Sequence, residues 1–335
     1  MMRQTIIAIS GGALSALLMA SSGPLMAGSL VPLGMIPAYL AQLPLLLVGF
    51  GLGVSAAVKA GLSAVLVAVL VANVNLIYGL IFAAFVAGPA VLLASVFLTV
   101  RPAPDGTMAW MPIDQAAGLL CGLALAAIMV AVMLGAGLDG GLFGQLEGFA
   151  ASIADELTTP DAGEPSALAR DLADVFVALA PYAPGIVGAS WLVTLATNGA
   201  LAQTILRRTG HNLRPSPALT EFRVPGWLSI AWGVATLAWI ALDGAAGRLG
   251  GNLALVLIVP FFFAGLAVAH VLAARFNLKT FFLVGLYGSL ALIGAPVVGV
   301  LIATGLIDDV ANLRRRAGGA QGRSSGRNAG DSDED

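Results

Sequence analysis

Few residues in this 335-residue chain could do chemistry, and the clearest set is a stripe. Ser190, Thr194, Asn198 and Ala202 recur at four-residue steps beside Trp191, the spacing that lines side chains along one face of a helix. The stripe lies in an apolar run, and in hydrocarbon a polar stripe must face neighbouring helices or a wet cavity. Hydrogen bonding between helices is the plainer account. Contact with a small solute through Ser190, Thr194 and Asn198 is the alternative, led by Asn198 because a carboxamide both donates and accepts. Asn252, behind Gly250 and Gly251 at the start of a span, reads as a helix cap. Asn73, Asn75 and Gly79 read as a turn.

Other chemistries lack their residues. No Gly-Lys-Ser/Thr phosphate loop and no His-Glu-x-x-His occurs, so neither enzymatic activity nor a cofactor is expected. His211 lies in a basic loop and His270 near the inner end of a span, without ligand spacing or a nucleophile partner, so no metal site is expected. The single cysteine, Cys121, allows no intrachain disulfide. Ionisable residues deep in the spans would mark a proton path, and none is evident, which weighs against a proton-coupled pump.

The elements that must position the stripe are membrane helices. Hydrophobic residues make up 59% of the chain and charged ones 10%, with mean hydropathy +0.94, against roughly 25% charged residues in soluble domains. Apolar runs of the length that crosses about 30 Å of hydrocarbon fall at residues 6–26, 36–56, 60–77, 79–100, 115–136, 183–206, 226–242, 251–273 and 280–305. The fold class is therefore all-α, a polytopic transmembrane helical bundle of eight to nine spans with an external amphipathic helical insert. Small residues at Ala20 to Gly23 imitate a signal-peptide cleavage site, but the long apolar stretch and the further span behind it favour retention as a first span.

Loop lysines and arginines stay cytoplasmic, which puts Arg3, Lys59, Arg101, the Arg207, Arg208 and Arg214 cluster, and Arg275 with Lys279 inside. The bilayer reads as an inner, plasma-type membrane of a bacterium. The segment from Asp139 to Asp174 then lies outside, where eight acids face one base, Arg170. Nine crossings would send the tail outward, whereas Arg314, Arg315 and Arg316 favour the cytoplasm. Either the run from Thr280 to Leu306 breaks at Gly294 and Pro296 and returns, or an earlier pair is one span, or the tail is an exception. A cytoplasmic tail and eight full spans is the favoured reading. One transmembrane domain thus covers residues 1–316, with the acidic insert at 138–180, and residues 317–335 are expected to be disordered.

Within the insert, Leu138, Leu142, Leu146, Phe149, Ile153 and Leu157 fall at steps of three and four, and Leu168, Leu172, Val175 and Leu179 form a second stripe. Two helices lying in the outer interface explain this; a lid over a cavity would need the stripes to face the bundle. In the first span Ala8, Gly12, Ala16 and Ala20 form a smooth ridge for close helix packing. Internal packing is the plainer use, and a docking face for a separate membrane subunit the other. No basic surface suits nucleic acid, so the expected partners are the lipid bilayer, membrane proteins and a small solute.

Several motifs together carry a resemblance: Pro37-Ala-Tyr-Leu-Ala-Gln-Leu-Pro44 leading to Gly49, Gly51 and Gly53; Phe222-Arg-Val-Pro225-Gly-Trp227; Asn252-Leu-Ala-Leu-Val-Leu before Phe263-Ala-Gly265-Leu-Ala-Val; and Gly305-Leu-Ile-Asp308-Asp309 with Asn312 and Arg314. In these the chain resembles the YybS-like family of polytopic bacterial membrane proteins, a domain of unknown function. The resemblance implies a distant similarity to the substrate-binding S components of energy-coupling-factor vitamin transporters. There an Ala-x-x-x-Ala on the first helix docks the coupling subunit, a spacing that Ala16 and Ala20 match. The resulting expectation is a bundle that binds or transports a small solute with a partner supplying energy. The rival is a non-transporting scaffold for envelope assembly or division.

Overall fold

The apolar runs become helices because lipid offers the backbone no hydrogen-bond partner, so each span must satisfy its own N–H and C=O groups. A computed structural model describes residues 2–26, 31–103, 106–158, 166–275 and 278–311. The polar tail expected at 317–335, the basic cluster Arg314 to Arg316, and the insert residues Pro160, Asp161, Glu164 and Pro165 lie outside them. All nine expected apolar stretches are largely helical, and among the described residues seven helices are long and apolar enough to cross a membrane. In chain order the helices are α1 (Met2–Met26), α2 (Val31–Tyr39), α3 (Leu43–Leu52), α4 (Val54–Val71), α5 (Leu76–Phe82), a π turn (Ala83–Ala87) and α6 (Gly88–Phe97). After a hairpin of β1 (Val100–Pro102) and β2 (Met108–Trp110) come α7 (Ile113–Gly135), α8 (Gly141–Thr158), α9 (Ala167–Leu179) and α10 (Ala183–Thr209). The chain continues as α11 (Gly226–Ala241), α12 (Gly244–Leu257), α13 (Val259–Ala273), α14 (Lys279–Leu292) and α15 (Ala295–Ala311).

The chain forms two compact units, Met1–Leu120 with Ser190–Pro217, and Cys121–Ala189 with Ala218–Asp335. In the first, the small ridge of α1 lies on α4, which presents its own four-step ladder of Ala56, Ala60, Ala64 and Ala68, all buried. A Cβ on Gly12 would overlap the Ala60 carbonyl, and Ala8 and Ala16 are buried. The ridge packs internally: Gly12 meets α4, Ala8, Gly12 and Ala16 are buried, and Ala20 at its end is half-buried. The turn after α4 falls at Asn73 (φ 56°) and Val74 (φ 64°), and Asn75 caps α5 through the Tyr78 N–H at 3.0 Å. Gly79, by contrast, sits within α5 against the Val69 side chain rather than in the turn.

The hairpin pairs Val100 with Trp110 in antiparallel register, a feature the apolar periodicity did not announce. Beneath it Arg214 is buried: Nη1 donates to the Phe97 carbonyl at 2.8 Å and the guanidinium lies 4.4 Å from the Phe97 ring centre. Expected as a loop charge, Arg214 instead caps the end of α6, where a cation meets the negative end of the helix dipole. Burial lowers its pKa from the ordinary arginine value.

In the second unit the 30-residue helix Gly244–Ala273 is lined along its first half by α11 and along its second by α15. Glycines permit both contacts. Gly250 lies against the Ala235 carbonyl, and Gly265 and Gly305 meet the Leu301 and Phe261 carbonyls, so α13 and α15 run antiparallel. Ser229 Oγ donates to Asp309 Oδ2 at 2.7 Å where α11 begins and α15 ends. The last apolar run breaks at Gly294 (φ 68°), the place that Gly294 and Pro296 indicated. The insert helices α8 and α9 pack on each other through Ala150, Ala154 and Ala173, while Leu138, Phe149, Leu157, Leu168, Leu172, Val175 and Leu179 stay exposed. Leu142, Leu146 and Ile153 of the first stripe are half-buried. Glu147 on α8 pairs with Arg248 on α12 at 2.7 Å.

Candidate functional site: a mid-span carboxamide cluster

Two prolines shape the site. Pro44 and Pro89 each stand near the middle of an apolar span, Met35–Leu52 and Leu76–Phe97. Proline has no N–H, so the carbonyl four residues earlier loses its helical partner. For Pro89 that carbonyl belongs to Phe85, within the π turn, where the Gly88 N–H reaches back five residues to Ala83. For Pro44 it is Leu40, and the chain answers by ending α2 at Tyr39 and turning through residues 40–42, with the Leu43 N–H on the Leu40 carbonyl at 3.0 Å.

Side chains from other spans take the carbonyls at these breaks. Asn198 Nδ2 donates to the Tyr39 carbonyl at 2.7 Å, and Ser15 Oγ to the Ala41 carbonyl at 2.5 Å. The Phe85 carbonyl accepts from both Gln42 Nε2 and Trp191 Nε1, each at 3.1 Å. Broken backbone at membrane depth survives only where protein or a wet cavity satisfies it. Here α1, the α2–α3 break, the π turn and α10 satisfy one another, all within the first unit.

The bonding fixes how the two amides point. Asn198 Nδ2 donates to the Thr194 carbonyl at 2.9 Å as well as to Tyr39, and Gln42 Nε2 is committed to Phe85. Exchanging oxygen for nitrogen would set acceptor against acceptor. Gln42 Oε1 and Asn198 Oδ1 are therefore the atoms left over, and neither meets a hydrogen-bond partner among the described residues. Gln42 is 4% and Asn198 3% exposed. An unpaired buried acceptor costs about 1–3 kcal/mol, so the cluster carries a standing penalty that a donor would relieve.

The solute stripe expected on α10 is thus only partly gathered. Asn198 is central, and Thr194 contributes its backbone carbonyl. Ser190 is exposed and takes no part, and Ala202 is buried packing. Gln42, Ser15 and the Tyr39 and Phe85 carbonyls escaped the reading by helical stripe, although Pro44 and Pro89 mark freed carbonyls. Asn252 is not a cap but an interior residue of α12. Its Nδ2 donates to the Pro181 and Arg248 carbonyls, both at 2.8 Å, and its Oδ1 accepts from the Gly185 N–H at 2.6 Å.

Apolar helices of membrane-crossing length, with broken backbone repaired from neighbouring spans, define an all-α polytopic membrane protein. The chain belongs to the family described as predicted membrane protein (DUF2232), whose model matches residues 13–309 and so takes in the whole cluster from Ser15 to Asn198. No curated protein and no solved structure matches the chain.

Proposed function

We propose that this protein binds a small solute at the mid-span cluster and works as a transport-type component of a bacterial inner membrane. The observation that carries the reading is the pair of buried carboxamide oxygens, Gln42 Oε1 and Asn198 Oδ1, beside a helix break and a π turn. Membrane transporters bind solutes at such discontinuous helices near the bilayer midplane, and π turns occur often at functional sites. The role is binding rather than catalysis: the cluster's own serine hydroxyl, on Ser15, is tied to the Ala41 carbonyl. With no nucleotide motif in the chain, energy would come from a partner subunit.

The test is purification of the tagged chain from its own membranes in mild detergent, with mass spectrometry of extracted small molecules and co-purifying proteins. One enriched metabolite, lost in an Asn198→Leu variant, supports solute binding. Envelope-assembly proteins without any metabolite would replace it with the scaffold reading.

A further inference from the structure

The cluster also selects the kind of solute, an inference that rests on the solute-binding reading. Both N–H groups of the Asn198 amide are spent on Tyr39 and Thr194, and one N–H of Gln42 Nε2 and the Trp191 Nε1 N–H go to Phe85. The polar atoms of these side chains left without any partner among the described residues are two carbonyl-type oxygens, on residues more than nine-tenths buried. The segments that build the cluster, residues 35–52, 76–97 and 190–202, contain no lysine, arginine or histidine. A carboxylate or phosphate would face the two acceptors with no cation beside them, and at most the second N–H of Gln42 would replace the hydration it sheds. A hard metal ion commonly takes six or more oxygens, and two are a poor substitute.

We infer that the site formed by Gln42 Oε1 and Asn198 Oδ1 takes a ligand carrying an ammonium or amide N–H group, and excludes anions. An N–H donor can pair with either oxygen without taking a partner from any existing bond of the cluster.

The experiment uses the full chain in mild detergent, titrated separately with methylammonium chloride, acetamide, potassium chloride and tetramethylammonium acetate at matched ionic strength. The expected result is saturable binding of methylammonium or acetamide, raising the unfolding temperature, with no saturable effect of potassium or acetate. Gln42→Met removes one of the two oxygens while Trp191 still holds the Phe85 carbonyl, and it should weaken the N–H probe by about tenfold, the equivalent of one hydrogen bond. Should that variant fail to fold, Trp191 emission in the parent chain, identified with Trp191→Phe, gives a second reading: the N–H probes shift it and acetate does not. Saturable binding of acetate, binding of potassium alone, an N–H probe that binds Gln42→Met as tightly as the parent, or no binding of either N–H probe would each overturn the inference. If an anionic metabolite nonetheless co-purifies with the chain, solute binding stands and only the donor rule falls; if nothing co-purifies and no probe binds, both fall.

Discussion

Two asparagines, one in each unit, are bonded almost alike. Asn198 and Asn252 are both buried, both donate to the carbonyl four residues earlier in their own helix, and both donate to a second carbonyl across a helix interface, of Tyr39 and Pro181 respectively. They differ at the oxygen. Asn252 Oδ1 receives the Gly185 N–H at 2.6 Å, and Gly185 is a glycine because a Cβ there would lie 2.7 Å from the Asn252 carbonyl oxygen. Asn198 Oδ1 receives nothing from the described residues. A closed amide is a clamp, whose removal strands its partners. An open amide spends stability to keep an acceptor available.

The comparison breaks or sharpens with three substitutions, measured by equilibrium unfolding in mild detergent. Asn252→Leu strands the Gly185 N–H and the Pro181 carbonyl together and should cost about 3 kcal/mol or more. Asn198→Leu strands only the Tyr39 carbonyl while removing an unpaired oxygen, so its cost should be about half as large. If the two cost the same, Asn198 is a clamp as well and the distinction fails. Gln42→Met is the mildest: the Phe85 carbonyl keeps Trp191, and the change should stay within about 1 kcal/mol of the parent. A cost as large as that of Asn252→Leu would mean that Gln42 holds the π turn together.

Much of the architecture was legible because membrane helices are written in long apolar runs. The α1 ridge was legible too, and its partner is visible in hindsight as the matching ladder Ala56, Ala60, Ala64 and Ala68. The sequence favoured internal packing of that ridge but could not say which of several small faces it meets; the fold pairs it with α4. Asn252 was misread because the glycines before it resemble a helix start, whereas they lie inside α12, close against Trp239 and Tyr182. Half of the site was hidden for a different reason. A stripe search finds polar side chains on one helix, and Gln42 and the Phe85 carbonyl belong to no stripe. They matter only because prolines free carbonyls that a residue remote in sequence must satisfy, and which residue that is depends on packing.

The π turn at Ala83–Ala87 also sets a rule for chain length. Deleting one residue from an ordinary membrane helix rotates everything before it by about 100° relative to everything after it, turning buried faces to lipid. A π turn already holds one residue beyond the α repeat. A one-residue deletion there would let α5 run straight into α6 with both flanks still facing as they do now. The protein would survive the shortening as a packed bundle, but the Phe85 carbonyl that gathers Gln42 and Trp191 would no longer be presented between them.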